Sequence, residues 1–315
     1  MNYQQKTNNL LKEQRNNWPL LAENFEGLKN VKLKTLPFEG FSFKVQYNSK
    51  RITSSAAKVD KDSIAARPCF LCANNRPMEQ NQVLFEGVFD ILCNPFPIFA
   101  EHFTIASLKH IPQEIGSSFG QYLDISKALP ELVVFYNAPK CGASAPDHLH
   151  FQAGNTGFLP IESEYEGIRN KYGNELIVNP AFSLVTIDDG LRRMIVLESN
   201  EKEMLEWAFK PIYQFMKKLV GGEEPNLNIL SWYSNQWRII IFPRDKHRPW
   251  QYFAEGDKNI LLSPASVDLG GSLITPLAKD FEKISNSDVA DIMNQVCLPS
   301  ELFEELCHFI KRSLK

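Results

Sequence analysis

His148-Leu149-His150-Phe151-Gln152 is the stretch that decides how this chain is read. In an extended strand alternate side chains share a face, so His148, His150 and Gln152 point one way while Leu149 and Phe151 point to an apolar side. Three polar groups in a row over an apolar back describe a site built on a strand. The chain has only six histidines, so a pair at this spacing stands out from composition.

Working outward, Leu149 to Ala153 is the candidate strand, entered from a Gly/Ala/Ser/Pro turn. Before it, Leu132 to Tyr136 and Phe103 to Ser107 are β-rich. Val83 to Asn94 reads as strand–turn–strand, closed by Asn94-Pro95-Phe96-Pro97. Pro112 to Leu129 is predicted helical, although Gly116 and Gly120 weaken the pattern. Lys44 to Lys61, rich in Lys, Ser and Ala, reads as a mobile loop.

After the site, strands are predicted at Phe182 to Ile187 and Arg193 to Leu197. A helix then runs from Asn200 to Leu219, capped by Asn200 with Glu203 in the reciprocal position. Met204, Trp207, Ala208, Ile212, Phe215, Met216 and Leu219 recur on it at helical spacing, and Pro211 should kink it. Leu227 to Trp232 and Trp237 to Phe242 flank the turn Ser234-Asn235, and an amphipathic helix begins near Ser300. The fold class is therefore α+β, a mostly antiparallel sheet with flanking helices. Each half offers strands and a long helix, which suggests a duplicated unit divided into residues 1–178 and 179–315.

The chain has 315 residues, 43% apolar and 23% charged, as a folded domain should. A net charge of −3 provides no global field for nucleic acid or anionic membrane, so an anionic ligand needs local groups. No run of 18 apolar residues suggests a membrane helix. The segment Met1 to Asn17 is polar and amide-rich without an apolar signal core, which points to the cytoplasm. Six cysteines are too sparse for a disulfide scaffold.

Cys69-Phe70-Leu71-Cys72 can place two thiolates on one edge of a tetrahedral metal ion. A nucleobase deaminase would need His-x-Glu upstream, and no histidine precedes Cys69. A zinc-finger module would need histidines close behind the cysteines and a basic recognition face, and it fails on both counts. Cys93, Cys141 and Cys297 read as buried small residues, and Cys307-His308 as structural.

The segment from Phe135-Tyr136-Asn137 to His148, His150 and Gln152 resembles the active-site segment of the transferase branch of the histidine triad superfamily. That branch includes galactose-1-phosphate uridylyltransferase, diadenosine tetraphosphate phosphorylase and the sugar-nucleotide phosphorylases. Cys69 to Asn74 is similar to the zinc-binding segment of the uridylyltransferases, with His110 and His148 at the positions of the remaining ligands. His102 lies close enough to compete with His110. Asn228 to Arg244 and Ser263 to Gly271 resemble the C-terminal domain of dinucleoside polyphosphate phosphorylases.

The resemblance implies two histidine-triad-like halves, the second degenerate. It also implies a structural zinc held by Cys69, Cys72, His110 and His148. The chemistry it implies is nucleotidyl transfer from a nucleotide sugar or dinucleoside polyphosphate to phosphate or a phosphorylated acceptor. His150 would be the nucleophile and Gln152 a donor to the phosphoryl oxygens. Glutamine cannot act as a general acid, which favours a phosphate acceptor over water.

Asn137 matches a family phosphate contact, and the Gly142 to Ser144 turn could add a backbone nest. Asn94 and Phe96 match a nucleotide-contacting segment, or are a turn and a core aromatic. Arg51, with Ser54, Ser55 and Lys58, is a phosphate-binding loop or a solvated basic one. Arg244, Lys246, His247 and Arg248 could receive an anionic acceptor. The expectation is compatible with a homodimer. The rival reading is a nucleotide-binding or regulatory protein that has kept the fold without turnover.

Overall fold

The computed structural model describes residues 1–52 and 60–314. Two strands come first, β1 (Lys32–Pro37) and β2 (Ser42–Tyr47). Five follow as β3 (Gln82–Phe85), β4 (Phe89–Cys93), β5 (His102–Ser107), β6 (Leu132–Asn137) and β7 (His150–Asn155). Another five are β8 (Gly173–Val178), β9 (Phe182–Asp188), β10 (Arg193–Ser199), β11 (Leu227–Tyr233) and β12 (Trp237–Pro243), and β13 (Ser272–Thr275) is last.

Ten of these form one antiparallel sheet in the order β3-β4-β5-β7-β6-β11-β12-β10-β9-β8. Read from either edge the path is the same. Three antiparallel strands lead into a helix, Phe119–Ala128 or Lys202–Leu219. A hairpin then returns its second strand beside the third, β7 against β5 and β12 against β10. The suggested duplication is present as topology. The repeats meet at β6 and β11, where Asn137 lies opposite Asn228.

Both faces of the sheet are covered, which is why its central strands are apolar runs instead of alternating ones. One core holds Phe151, Leu149, Ile239 and Ile241 under Tyr3–Asn17, Phe119–Ala128, Lys202–Leu219 and Ser300–Ser313. The other holds Phe135, Leu230, Ile240 and Phe242 under Pro160–Tyr172, Asn286–Val296 and a three-stranded sheet of β1, β2 and β13. Among the described residues no helix is long and apolar enough to cross a membrane.

Several expectations are corrected. Lys44 to Lys61 is not all loop, because β2 buries Phe43 and Val45 and pairs in parallel with β13 some 230 positions on, as in Thr275 against Tyr47. Asn200 does not cap its helix. Glu201 is the N-cap residue, and its N–H donates to Ser199 Oγ at 3.0 Å. The Phe119–Ala128 helix starts well after Pro112, and Gly116 sits where a Cβ would meet the Tyr213 ring at 2.6 Å. The polar N-terminus is helical from Tyr3, with Asn2 and Gln5 as a capping box, and it buries Leu10 and Leu11.

Candidate active site and metal cluster

β7 begins at His150, so His148 precedes the strand and does not share its face as the sequence suggested. The chain turns there: His148 N–H donates to Ala145 O at 3.1 Å, and Leu149 N–H to Ile111 O at 2.7 Å. His148 consequently faces the cysteines, while His150 and Gln152 line a cavity of about 850 Å³. Leu149 and Phe151 pack into the core behind, as the alternation requires.

Cys69, Cys72, His110 and His148 converge, with their ligand atoms all within 4.8 Å of one another. Cys69 Sγ and Cys72 Sγ lie 3.3 and 3.6 Å from His148 Nδ1, and Cys72 Sγ lies 3.3 Å from His110 Nδ1. A sulfur–nitrogen edge of a tetrahedral zinc site is roughly 3.5 Å, given the usual metal–ligand lengths. The four residues can hold one metal ion.

His148 Nε2 lies 2.8 Å from the Ser107 carbonyl, which can only accept, so Nε2 carries the proton and Nδ1 is left as ligand. Asn75 Nδ2 donates to Cys69 O, and Arg76 ties Leu71 O to the buried Asp90. Those bonds seat the cysteine loop on β4. Outside the cluster, Asp147 lies 3.9 Å from His110 Nε2 and pairs with Arg67 at 3.0 Å.

The cluster reaches His150 through one backbone atom. His150 Nδ1 lies 2.8 Å from the His148 carbonyl, so Nδ1–H donates there and Nε2 keeps its lone pair. His150 is 3% exposed, and burial lowers its pKa to about 4. The ring is therefore neutral at neutral pH.

Gln113 clamps the same residue. Its Oε1 accepts His150 N–H at 2.7 Å, while its Nε2 donates to the carbonyls of His150 and Asn137, each at 2.9 Å. Gln113→Leu keeps the volume and strands three backbone groups. Unfolding in urea should show a loss of about 2–4 kcal/mol, and no loss would remove the clamp from the account.

Asn137 accepts three donors at Oδ1, from Asn228 Nδ2 at 2.7 Å, Ser266 N–H at 2.9 Å and Ser266 Oγ at 2.7 Å. Its Nδ2 is what remains for the cavity it lines. Asn94, Phe96, Ser144 and Arg51 line the same cavity. Asn94 Oδ1 accepts Phe96 N–H at 2.9 Å, and Arg51 donates to Phe96 O at 2.6 Å. Burial lowers Arg51 to about 10, against the neighbouring charge of Asp268. Lys58, Ser54 and Ser55 lie outside the described residues.

The second half supplies the opposite wall with His247, Arg248, Ser263, Ala265 and Asp268. Gly142, at φ +101°, faces Ala265, and a Cβ there would approach the Ala265 Cβ to 2.6 Å. Burial raises Asp268 to about 6 although both its oxygens accept backbone N–H groups.

The basic cluster is corrected. Arg244 is 1% exposed and spends its donors on Val296 O, Pro264 O, Lys246 O, His247 O and Asn228 Oδ1. It braces the wall and faces no ligand. Lys246 is exposed and outside the cavity lining, which leaves His247 and Arg248 there.

Residues 10–155 match a family model described as a domain of unknown function, DUF4922, and residues 188–315 match the model described as GDPGP1-like, C-terminal domain. No curated protein matches the chain by sequence. Among solved structures, yeast Ap4A phosphorylase Apa2 in complex with Ap4A superposes with a TM-score of 0.58 at 16% identity, over 92% of this chain and 98% of that one. A second structure of that yeast enzyme gives 0.60 at 15% identity, over 89% and 96%. The chain has the Ap4A phosphorylase fold. At this identity the likeness carries architecture alone.

On the Ap4A phosphorylase fold this chain places four residues that sequence reading missed or misplaced. Gln113, a single amide in a loop, carries no sequence signal, and Asn228 was noted only as the start of a family-like stretch, with no role. Asp268 was one acidic residue in a small-residue stretch. His102 was weighed only as a rival ligand to His110, and it lies instead beneath Gln152, with Nε2 3.1 Å from Gln152 Oε1.

Proposed function

We propose that the protein transfers a nucleotidyl group through a covalent intermediate on His150. The observation that carries this reading is the tautomer of that ring. With Nδ1–H held by the His148 carbonyl, the Nε2 lone pair is the free nucleophile of a neutral imidazole in a cleft.

In the first step Nε2 attacks the α-phosphorus, the bond to the bridging oxygen breaks, and the distal part leaves as a phosphate ester. In the second, an acceptor phosphate oxygen attacks the same phosphorus, the P–N bond breaks, and the imidazole returns neutral. With inorganic phosphate as acceptor the products are a nucleoside diphosphate and the departed phosphate ester. Gln152 and Asn137 offer amide N–H groups to the non-bridging oxygens, and Arg51 adds positive charge. Ser144 and the Asn94–Phe96 segment bound the nucleotide side.

The cysteine–histidine cluster fits zinc in ligand type, number and spacing. All four positions would be filled by protein, so the ion is architectural. It fixes His148, and the His148 carbonyl aims His150. Residues 1–178 then form the catalytic half. In residues 179–315, Arg238, the second residue of β12, pairs with Glu198 at 2.6 Å, and no His-x-His pair occurs in that half.

Nucleotides of the class bound in the yeast neighbour's complexes, Ap4A and AMP, suit a cleft of this size. The assay is phosphorolysis of diadenosine tetraphosphate and of ADP-, GDP- and UDP-glucose with inorganic phosphate. Release of a nucleoside diphosphate from one of them is expected. Binding without product from all of them would leave a nucleotide-binding protein.

A further inference from the structure

The amide of Gln152 can face the cleft with its oxygen or with its nitrogen, and which one decides what chemistry the cleft supports. The choice is fixed by two main-chain N–H groups, which can only donate. Ile98 N–H donates to His102 Nδ1 at 3.3 Å, so the His102 proton sits on Nε2, 3.1 Å from Gln152 Oε1. Phe96 N–H donates to Asn94 Oδ1 at 2.9 Å, so Asn94 presents Nδ2, 3.4 Å from the same Oε1. Polarity set by the segment Asn94–Ile98 thus runs through two side chains and meets at one atom.

A flipped amide would set an NH₂ group against two donors. His102 is fully buried, wedged by the Phe99 ring at 5.2 Å. Burial lowers its pKa to about 3, so it remains a neutral donor across the working pH range.

We propose that His102 is a positioning residue for nucleotidyl transfer, holding the Gln152 oxygen inward so that the glutamine offers the cleft donors and no acceptor. The proposal rests on the reading of His150 as nucleophile. Its consequence is product partition. An inward oxygen cannot accept a hydrogen bond from a water molecule and so aim that water at the phosphorus of nucleotidyl-His150. An outward oxygen could, and water would then add to phosphorus as the P–N bond breaks, releasing a nucleoside monophosphate and a proton.

The test compares full-length zinc-loaded wild type with His102→Leu, which fills the space without donating, and with His102→Gln, which keeps acceptor and donor in the same order. The probes are α-³²P-labelled GDP-glucose and diadenosine tetraphosphate, with inorganic phosphate as acceptor. His102→Leu should lose roughly 10- to 100-fold in kcat, the usual cost of removing a supporting hydrogen bond. KM should change little, and the monophosphate share of product should rise. His102→Gln should restore most of both. An unchanged product ratio in His102→Leu would overturn the proposal.

A second readout needs no turnover. Imidazole ¹⁵N shifts of the wild type should report a neutral Nε2–H ring at residue 102 from pH 5.5 to 8. They should be joined by a Gln152 amide resonance that moves in His102→Leu. An Nδ1–H ring or a titrating one would also overturn it. Loss of transfer in wild type, with the Nε2–H tautomer intact, would instead fault the His150 reading.

Discussion

His150→Ala is expected to reduce nucleotidyl transfer by about four orders of magnitude or more, the scale seen when a covalent nucleophile is removed. The loss should fall on kcat, because the cavity is walled by other residues: Asn94, Phe96, Asn137 and the second-half segment around Ser263 to Asp268. Binding of a nucleotide, read by calorimetry, should survive within a few-fold. A variant that keeps transfer within tenfold of wild type would show that the ring is not bonded to phosphorus. A variant that loses binding as well would point to a structural part for the ring, since it is 3% exposed and anchored at 2.8 Å to the His148 carbonyl.

The second large effect concerns the metal. The purified protein is expected to carry one zinc per chain by elemental analysis, and Cys69→Ser or Cys72→Ser to carry little. Loss of a structural metal belongs to the few changes that cost about 4 kcal/mol or more, which calorimetric unfolding would show as a large fall in Tm. Transfer should fall in parallel, because His148 loses the anchor that aims its carbonyl. Cys93→Ser is the control, since that thiol lies buried on β4 away from the four ligands. Zinc-free protein with unaltered Tm and activity would contradict the architectural reading.

How much of this was legible follows from where each signal lies in the chain. Apart from β8, the strands of the large sheet are local runs of Val, Ile, Leu and Phe, and they were found within a residue or two. The small sheet was not, because β2 earns its place only by pairing with β13, far along the chain. β8 escaped for a similar reason, as an exposed edge strand whose Gly173-Asn174-Glu175 opening carries no apolar pattern.

At the site, residue types with distinctive chemistry were visible. Cys69, Cys72, His110 and His148 converge, and Arg51, Asn94, Phe96, Asn137, Ser144, His150 and Gln152 line one cavity. Orientation was not visible. Strand alternation put His148 on the face of His150, whereas the turn at Ala145 and Ile111 sends it to the cysteines. The hydrogen-bonding partners that set tautomers and amide directions, Gln113, His102 and Asn228, are ordinary polar residues made informative only by contact. Arg244 is the reverse case: four basic residues in five positions suggested a ligand site, and the most buried of them is a brace.

The most direct test of the central claim is intact-protein mass spectrometry after mixing the zinc-loaded enzyme with donor in the absence of any acceptor. The expected result is a mass increase of one nucleotidyl group per chain. The adduct should be base-stable and acid-labile, map by peptide sequencing to His150, be discharged by adding inorganic phosphate, and be absent from His150→Ala. An enzyme that turns over donor yet never gains mass, or gains it at another residue, would contradict the account.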